Sequence, residues 1–258
     1  MAIYSHAPDS PRRHRPTDFG QLSRRTGHRG GRTPDPFRPQ TVDGYAVGGI
    51  CLIRLRNERP NRVPACFGTA SENAAHRIAV EWNDDGERKT GVYVPRRDTN
   101  SRFNTLLGGT LFAGDYHEAR FDVDETAGQR ESTGQSESVD RYDVRMVSDD
   151  KSVRVDVTGE PTDSLPTDSV FDSVAESSAF FEQGSLGYSP SDATEDEYEG
   201  IELHTFEWEV SPLAVDSVTS SYFEEFPDEA VAFDHALLME DIDHEWRERD
   251  SICTSSAT

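Results

Sequence analysis

The sequence predicts a mostly β protein of the α+β class, a closed or nearly closed antiparallel β-barrel with one or two short helices. Three observations predict it. Many short segments alternate apolar and polar residues, tight-turn signals separate them, and only one segment keeps a clear helical spacing.

The first forty residues stand apart. Eight arginines against three aspartates give this stretch a local charge of +5, and Pro, Gly and Ser outnumber its apolar residues. Such a segment buries too little apolar surface to order itself, so residues 1–34 are expected to be a disordered Arg-rich arm. The barrel domain is expected over 35–247, and residues 248–258 as a disordered tail.

Residues 46–55 (AVGGICLIRL) are apolar on both faces, as a fully buried strand is. Residues 76–82 alternate and meet Asn83-Asp84-Asp85-Gly86, a hairpin signal answered by residues 91–94. Residues 116–124, 141–147, 152–158, 201–210, 213–223 and 231–239 also read as strands, with a tight turn at Asp149-Asp150. Gly128–Ser138 reads as a hairpin tip, and Pro190–Gly200 as an exposed acidic stretch. Asp168 or Ser169 is expected to cap a helix carrying Val170, Phe171, Val174, Phe180 and Phe181 and ending at Gly184. A shorter helix is expected over 99–107, stopped by Gly108-Gly109.

The formal net charge is −23, and only Lys89 and Lys151 among the 26 basic residues are lysines. Surface acid with so little lysine suits a concentrated-salt cytoplasm, where a Debye length of ~3 Å at about 1 M screens self-repulsion. No apolar stretch is long enough for a transmembrane helix, and the N-terminus has no hydrophobic leader, so no membrane partner is expected and the location is read as cytoplasmic. The basic arm raises nucleic acid as a partner. The acidic remainder and the lack of interleaved aromatics argue against it.

Cys51, Cys66 and Cys253 fall in no metal-like or disulfide pattern, and no phosphate-cradling or nucleophile-elbow motif is present. No cofactor or metal is expected. His235 and His244 lie among acidic residues, but their spacing defines no ligand geometry.

Three polar segments interrupt the strands. Ser71–Arg77 brings a carboxylate, an amide, an imidazole and a guanidinium to a strand entry; the others are Pro95–Arg102 and Gly114–Phe121. Strict alternation in the third places His117, Ala119, Phe121 and Val123 on one face, and Tyr116, Glu118, Arg120 and Asp122 on the other. His117 is then either a core histidine or a pocket acid or base.

The runs DPFRPQTVDGYAVGGICLIRLRNERP, SENAAHRIAVEW, GVYVPRRDTNSRFN, GGTLFAGDYHEARFDV, FFEQGSLGYS and FDHALLM together resemble the YqjF-like family of uncharacterised proteins, grouped with the acetoacetate decarboxylase-like fold. The resemblance spans residues 35–246. It implies a β-barrel with a small-molecule cavity. Matching Phe112–His117 to the decarboxylase's FGxPKK-type segment sets Tyr116 and His117 where two pocket lysines would stand, and Glu72 near a pocket glutamate. Relatives usually carry an apolar strand and helix where this chain has its arm.

With neither lysine near that segment, a Schiff-base decarboxylase is not expected. The expectation is a binder of a small carboxylate or carbonyl compound held by Arg77, Arg96 or Arg97. Glu72, Tyr116 and His117 would be available for acid–base chemistry. The alternative is a non-catalytic binding, sensing or scaffold role.

Overall fold

The computed structural model describes residues 4–5, 15–25, 33–58, 69–102, 105, 114–127, 139–191, 194, 196–226, 231–240 and 242–254; residues 4–5, 15–25, 57–58 and 127 are traced by main chain alone. The strands before the helix are β1 (Tyr4–Ser5), β2 (Arg15–Arg25), β3 (Arg38–Pro39), β4 (Thr41–Val42), β5 (Tyr45–Glu58), β6 (Thr69–Asp84), β7 (Glu87–Thr99), β8 (Tyr116–Ala127), β9 (Val139–Ser148) and β10 (Arg154–Pro161). After them come α1 (Val174–Glu182), β11 (Leu186–Pro190), β12 (Glu197–Thr205), β13 (Ser211–Ser220), α2 (Ser221–Glu224), β14 (Ala232–Phe233), β15 (Ala236–Leu238) and β16 (His244–Cys253).

The hairpin read from Asn83-Asp84-Asp85-Gly86 forms as expected. Asp84 pairs with Glu87, and the two loop residues Asp85 and Gly86 both take positive φ, 49° and 88°. That is the twist-matched turn that Asp-Gly favours. Asn83 Oδ1 accepts the Gly86 N–H at 2.9 Å and closes it. The Asp149-Asp150 turn also forms: Ser148 Oγ accepts the Val153 N–H at 3.0 Å, and Asp150 accepts the Ser152 N–H at 2.9 Å.

β5 is apolar on both faces, as a strand buried within a sheet is, and its backbone N–H and C=O groups are then paired along both edges. β6 takes one edge. β2 takes the other, in register from Arg15↔Arg54 to Arg25↔Tyr45. Residues 15–25 of the expected disordered arm are therefore sheet, and β2 stands beside β5. The remainder of the arm, outside residues 4–5 and 33–34, lies outside the described residues. The expected tail is corrected in the same way: β16 pairs along β12 from Glu197↔Cys253 to Thr205↔His244.

The sheet is curled and branched, and the expected all-antiparallel pairing is corrected at β7. β7 pairs antiparallel with β6 but shares its other edge between two parallel partners. Val92 and Tyr93 pair with Gly187 and Tyr188 of β11, whereas Arg97–Thr99 pair with Tyr116–Glu118 of β8. Pro95, with no N–H to offer a ladder, lies between the two branches. β8, β9, β10, β13, β15, β2, β5, β6 and β7 follow one another around a concave face, while β11, β12, β16 and β1 run off as a branch; β1 and β3 end the sheet.

The concave face is filled by Ile50, Leu52, Ala74, Ala119, Tyr142, Val144, Met146, Val155, Val157 and Leu238. Under the branch, Phe37 meets Trp82, Tyr93, Tyr188 and Tyr198 at centroid distances of 5.2–5.9 Å. Aromatic edges and faces meet at such spacings favourably.

The helix starts later than expected. Ser173 accepts the Glu176 N–H, and Glu176 returns a bond to the Asp172 N–H, a reciprocal box that fixes the first turn. Ser169, the expected cap, instead donates to Asp234 at 2.7 Å. In the expected second helix Arg102 and Thr105 are helical, and the Thr105 N–H donates to the Ser101 carbonyl. Gly108-Gly109 and the expected hairpin tip lie outside the described residues. The stretch 190–200 is not simply an exposed run: Tyr198 is buried and pairs with Pro190.

Candidate functional site

Alternation across β6, β7 and β8 sorts the six sequence-predicted residues onto two faces of one sheet. Arg96, Glu72 and His117 share the concave face with Ala74 and Ala119. Arg97 and Tyr116 point the other way. Arg77 lines a third place, a narrow cleft against α1 with Phe180, Phe181, Val92 and Trp208. Its free interior of about 40 Å³ holds a few waters, since one water takes ~10–15 Å³ on this measure. The expected single pocket is therefore split.

On the concave face, Arg54 bridges two carboxylates. Its Nε donates to Glu72 Oε1 at 2.5 Å and its Nη1 to Glu125 Oε1 at 2.7 Å. Alternation continuing from Ile50 and Leu52 puts Arg54 there, and alternation from Phe121 and Val123 brings Glu125. Burial lifts the Glu72 carboxyl above its ordinary range despite Arg54, and Glu125 adds to the rise. Asp98 is wholly buried and held bidentately by Arg96, with Nε at 2.9 Å from Oδ2 and Nη2 at 2.8 Å from Oδ1. Burial raises its carboxyl too.

His117 is no core histidine. It sits in register with Asp98 at the rim, with 39% of its side chain exposed and Nε2 3.8 Å from Asp115. The core histidines are His76 and His235. His76 packs its ring 4.5 Å from that of Tyr222, and burial followed by the Arg96 charge pushes it down to about 3.

On the opposite face the arrangement is different in kind. Arg97 is only 9% exposed. Among the described residues it has no carboxylate partner: its Nε donates to Ser189 Oγ at 3.3 Å, and its guanidinium stands 5.7 Å from the centre of the Tyr116 ring. A buried cation is normally paired, because leaving it so costs free energy. Gly114 lets the chain pass this closely: its φ is +79°, and a Cβ there would fall 2.4 Å from that of Ser189. The Glu199 carboxylate is taken up by the Gly114 N–H at 3.0 Å and the Ser191 hydroxyl at 2.8 Å.

Two cross-strand neighbours complete this patch. Ala75 stands opposite Arg97, and Asn73 stands opposite Thr99, one position further along the same face. Asn73 is buried, and its Oδ1 has no hydrogen-bond partner. It lay inside the Ser71–Arg77 segment but was not among the residues singled out. The signal that could have found it is the parity of β6, which pairs residue 73 with 75 rather than with 72.

Sequence reasoning weighed His235 only as a metal ligand among acidic residues and did not join it to Ser177 and Asp234. His235 Nε2 lies 2.6 Å from Ser177 Oγ, and its Nδ1 bonds Asp234, which also accepts the Val170 N–H at 2.8 Å. The order is that of a nucleophilic triad, yet Ser177 and His235 are wholly buried against Phe171 and Phe181, with no face open to a substrate. It pins α1 to the β14–β15 connection. His244 is turned to the Ile242 carbonyl, and no described group of His, Cys, Asp and Glu has metal-binding geometry.

Among the described residues no helix is long and apolar enough to cross a membrane. No family model matches the chain. No curated protein matches it either. Solved structures do. The enduracididine biosynthesis enzyme MppR complexed with pyruvate superposes with a TM-score of 0.55 at 10% identity, covering 97% of this chain and 93% of that one. An acetoacetate decarboxylase-like enzyme from Sphingomonas wittichii RW1 gives 0.53 at 11% identity, over 98% and 93%. The acetoacetate decarboxylase of Legionella pneumophila gives 0.54 at 10%, over 95% and 88%. The chain has the acetoacetate decarboxylase-like fold.

Proposed function

We propose that the chain is a YqjF-like member of this fold that binds a small carboxylate or carbonyl compound at Arg97, beside Tyr116. One observation carries the reading: an arginine nine-tenths buried with no carboxylate partner among the described residues. A ligand carboxylate supplies the missing charge, and the Tyr116 ring face supports the cation from one side. The pyruvate complex of MppR supports a ligand of this size in the fold.

Binding is favoured over acid–base catalysis by a single pocket. Glu72, Arg96 and His117 lie across the sheet from Arg97, and Arg96 and Glu72 are already engaged with Asp98 and Arg54. A ligand on Arg97 touches Tyr116 and not His117. Schiff-base chemistry has no support. Lys89 is tied to Glu87 at 2.6 Å beside a hairpin turn, and Lys151 stands exposed in the Asp149–Ser152 turn.

A thermal-shift screen of small carboxylates and carbonyl compounds in about 2–3 M KCl tests this. A compound at a hundred times its dissociation constant should stabilise the native state by ~2.7 kcal/mol. The stabilisation is expected to vanish in Arg97→Gln and to persist in His117→Ala. A hit that survives Arg97→Gln and disappears in His117→Ala moves the site to the concave face and contradicts the proposal.

A further inference from the structure

We infer that the site at Arg97 selects carboxylates that also carry a hydroxyl, because the buried Asn73 Oδ1 beside it requires a hydrogen-bond donor. This rests on the assignment of ligand binding to Arg97.

The amide orientation follows from its neighbours. Asn73 Nδ2 donates to Ser71 Oγ at 2.8 Å and approaches the Ile53 carbonyl at 3.5 Å. A backbone carbonyl only accepts, so the nitrogen faces it and Oδ1 faces away. That oxygen is buried and accepts nothing. A buried amide oxygen without a donor costs free energy, and such groups in folded proteins are normally satisfied.

Register places the two groups within one ligand's reach. Asn73 pairs with Thr99 and Ala75 with Arg97, so Asn73 and Arg97 are diagonal neighbours on one face, a relation that separates their Cα atoms by roughly 7–8 Å. A carboxylate on the guanidinium leaves its α or β substituent near the amide. Thr99 Oγ1 accepts the Ser101 N–H at 3.1 Å and makes no hydrogen bond to Asn73 Oδ1.

The chemistry of that substituent is restricted. An oxo group only accepts and would set its lone pairs against those of Oδ1. An ammonium donates, but it adds a second cation beside Arg97 where Glu199 is already engaged. A hydroxyl donates without charge. The ligand class is therefore a short 2- or 3-hydroxy acid rather than the corresponding oxo acid.

Matched pairs test this on the unaltered chain: lactate against pyruvate, and 3-hydroxybutyrate against acetoacetate, by calorimetric titration at constant molar KCl. Each hydroxy acid is expected to bind roughly 10–100-fold more tightly than its partner, from the cost of an unmet buried acceptor. Asn73→Leu, checked for cooperative unfolding, is expected to level the pair. Equal or tighter binding of the oxo acids overturns the inference. If both members bind equally and Arg97→Gln abolishes both, the Arg97 site stands and the role of Asn73 falls. If neither binds, both fall.

Discussion

Arg97 shows how a functional group can be recognised by what it costs the fold. A buried cation without a carboxylate destabilises the free protein, and replacing it with an apolar side chain of similar length removes that cost. Arg97→Met is therefore expected to stabilise the unliganded chain by ~1–3 kcal/mol in chemical unfolding; a loss of stability would show that the guanidinium is satisfied within the fold. His76 makes a different statement. Its proton affinity is depressed from 6.5 to about 3, chiefly by burial. The unfolded chain therefore takes up this proton first as the pH falls. Its contribution is fully present above 6.5 and is lost as the pH falls from there towards 3. The raised carboxyls of Glu72 and Asp98 act in the opposite sense. His76→Gln should flatten the decline in stability between about pH 6 and pH 4; an unchanged pH profile would mean that the ring is not buried neutral.

At the scale of elements, local chemistry decided which expectations held. The Asp85-Gly86 hairpin was legible because the turn needs residues that accept positive φ. The helix was legible in kind but not in its start, since Asp168, Ser169 and Ser173 all have capping chemistry and only the Glu176 partner distinguishes the last. Asp234 explains the other half: it captures Ser169 from a distant loop, which no local pattern reveals. Asp234→Ala should leave His235, Ser169 and the Val170 N–H without their acceptor. It is expected to destabilise the chain by ~3 kcal/mol in denaturant titration, and an effect within ~0.5 kcal/mol would show that α1 is held by its apolar face alone.

For the molecule as a whole, the alternating strands and the apolar β5 made the sheet legible, while its branching at Pro95 was not. Parallel pairing to both β8 and β11 depends on contacts between segments far apart in sequence. β2 was hidden for a related reason: its sequence reads as an arm, and the demand for it comes from the free edge of β5. The polar residues of the site were visible as types, but sorting Arg96 from Arg97 and Glu72 from Asn73 required the register. The charge of −23 acts at this scale too. We expect unfolding midpoints to rise as KCl increases from about 0.1 to 2 M, because screening relieves self-repulsion; a midpoint independent of KCl would remove the salt-adapted reading.

The most direct measurement is a crystal structure of the chain grown in molar KCl with a saturating short hydroxy acid. The carboxylate is expected within about 3 Å of the Arg97 guanidinium, with its hydroxyl donating to Asn73 Oδ1. A ligand lodged against His117 on the concave face, or an Arg97 paired with a carboxylate of the chain itself, would contradict the assignment of this site.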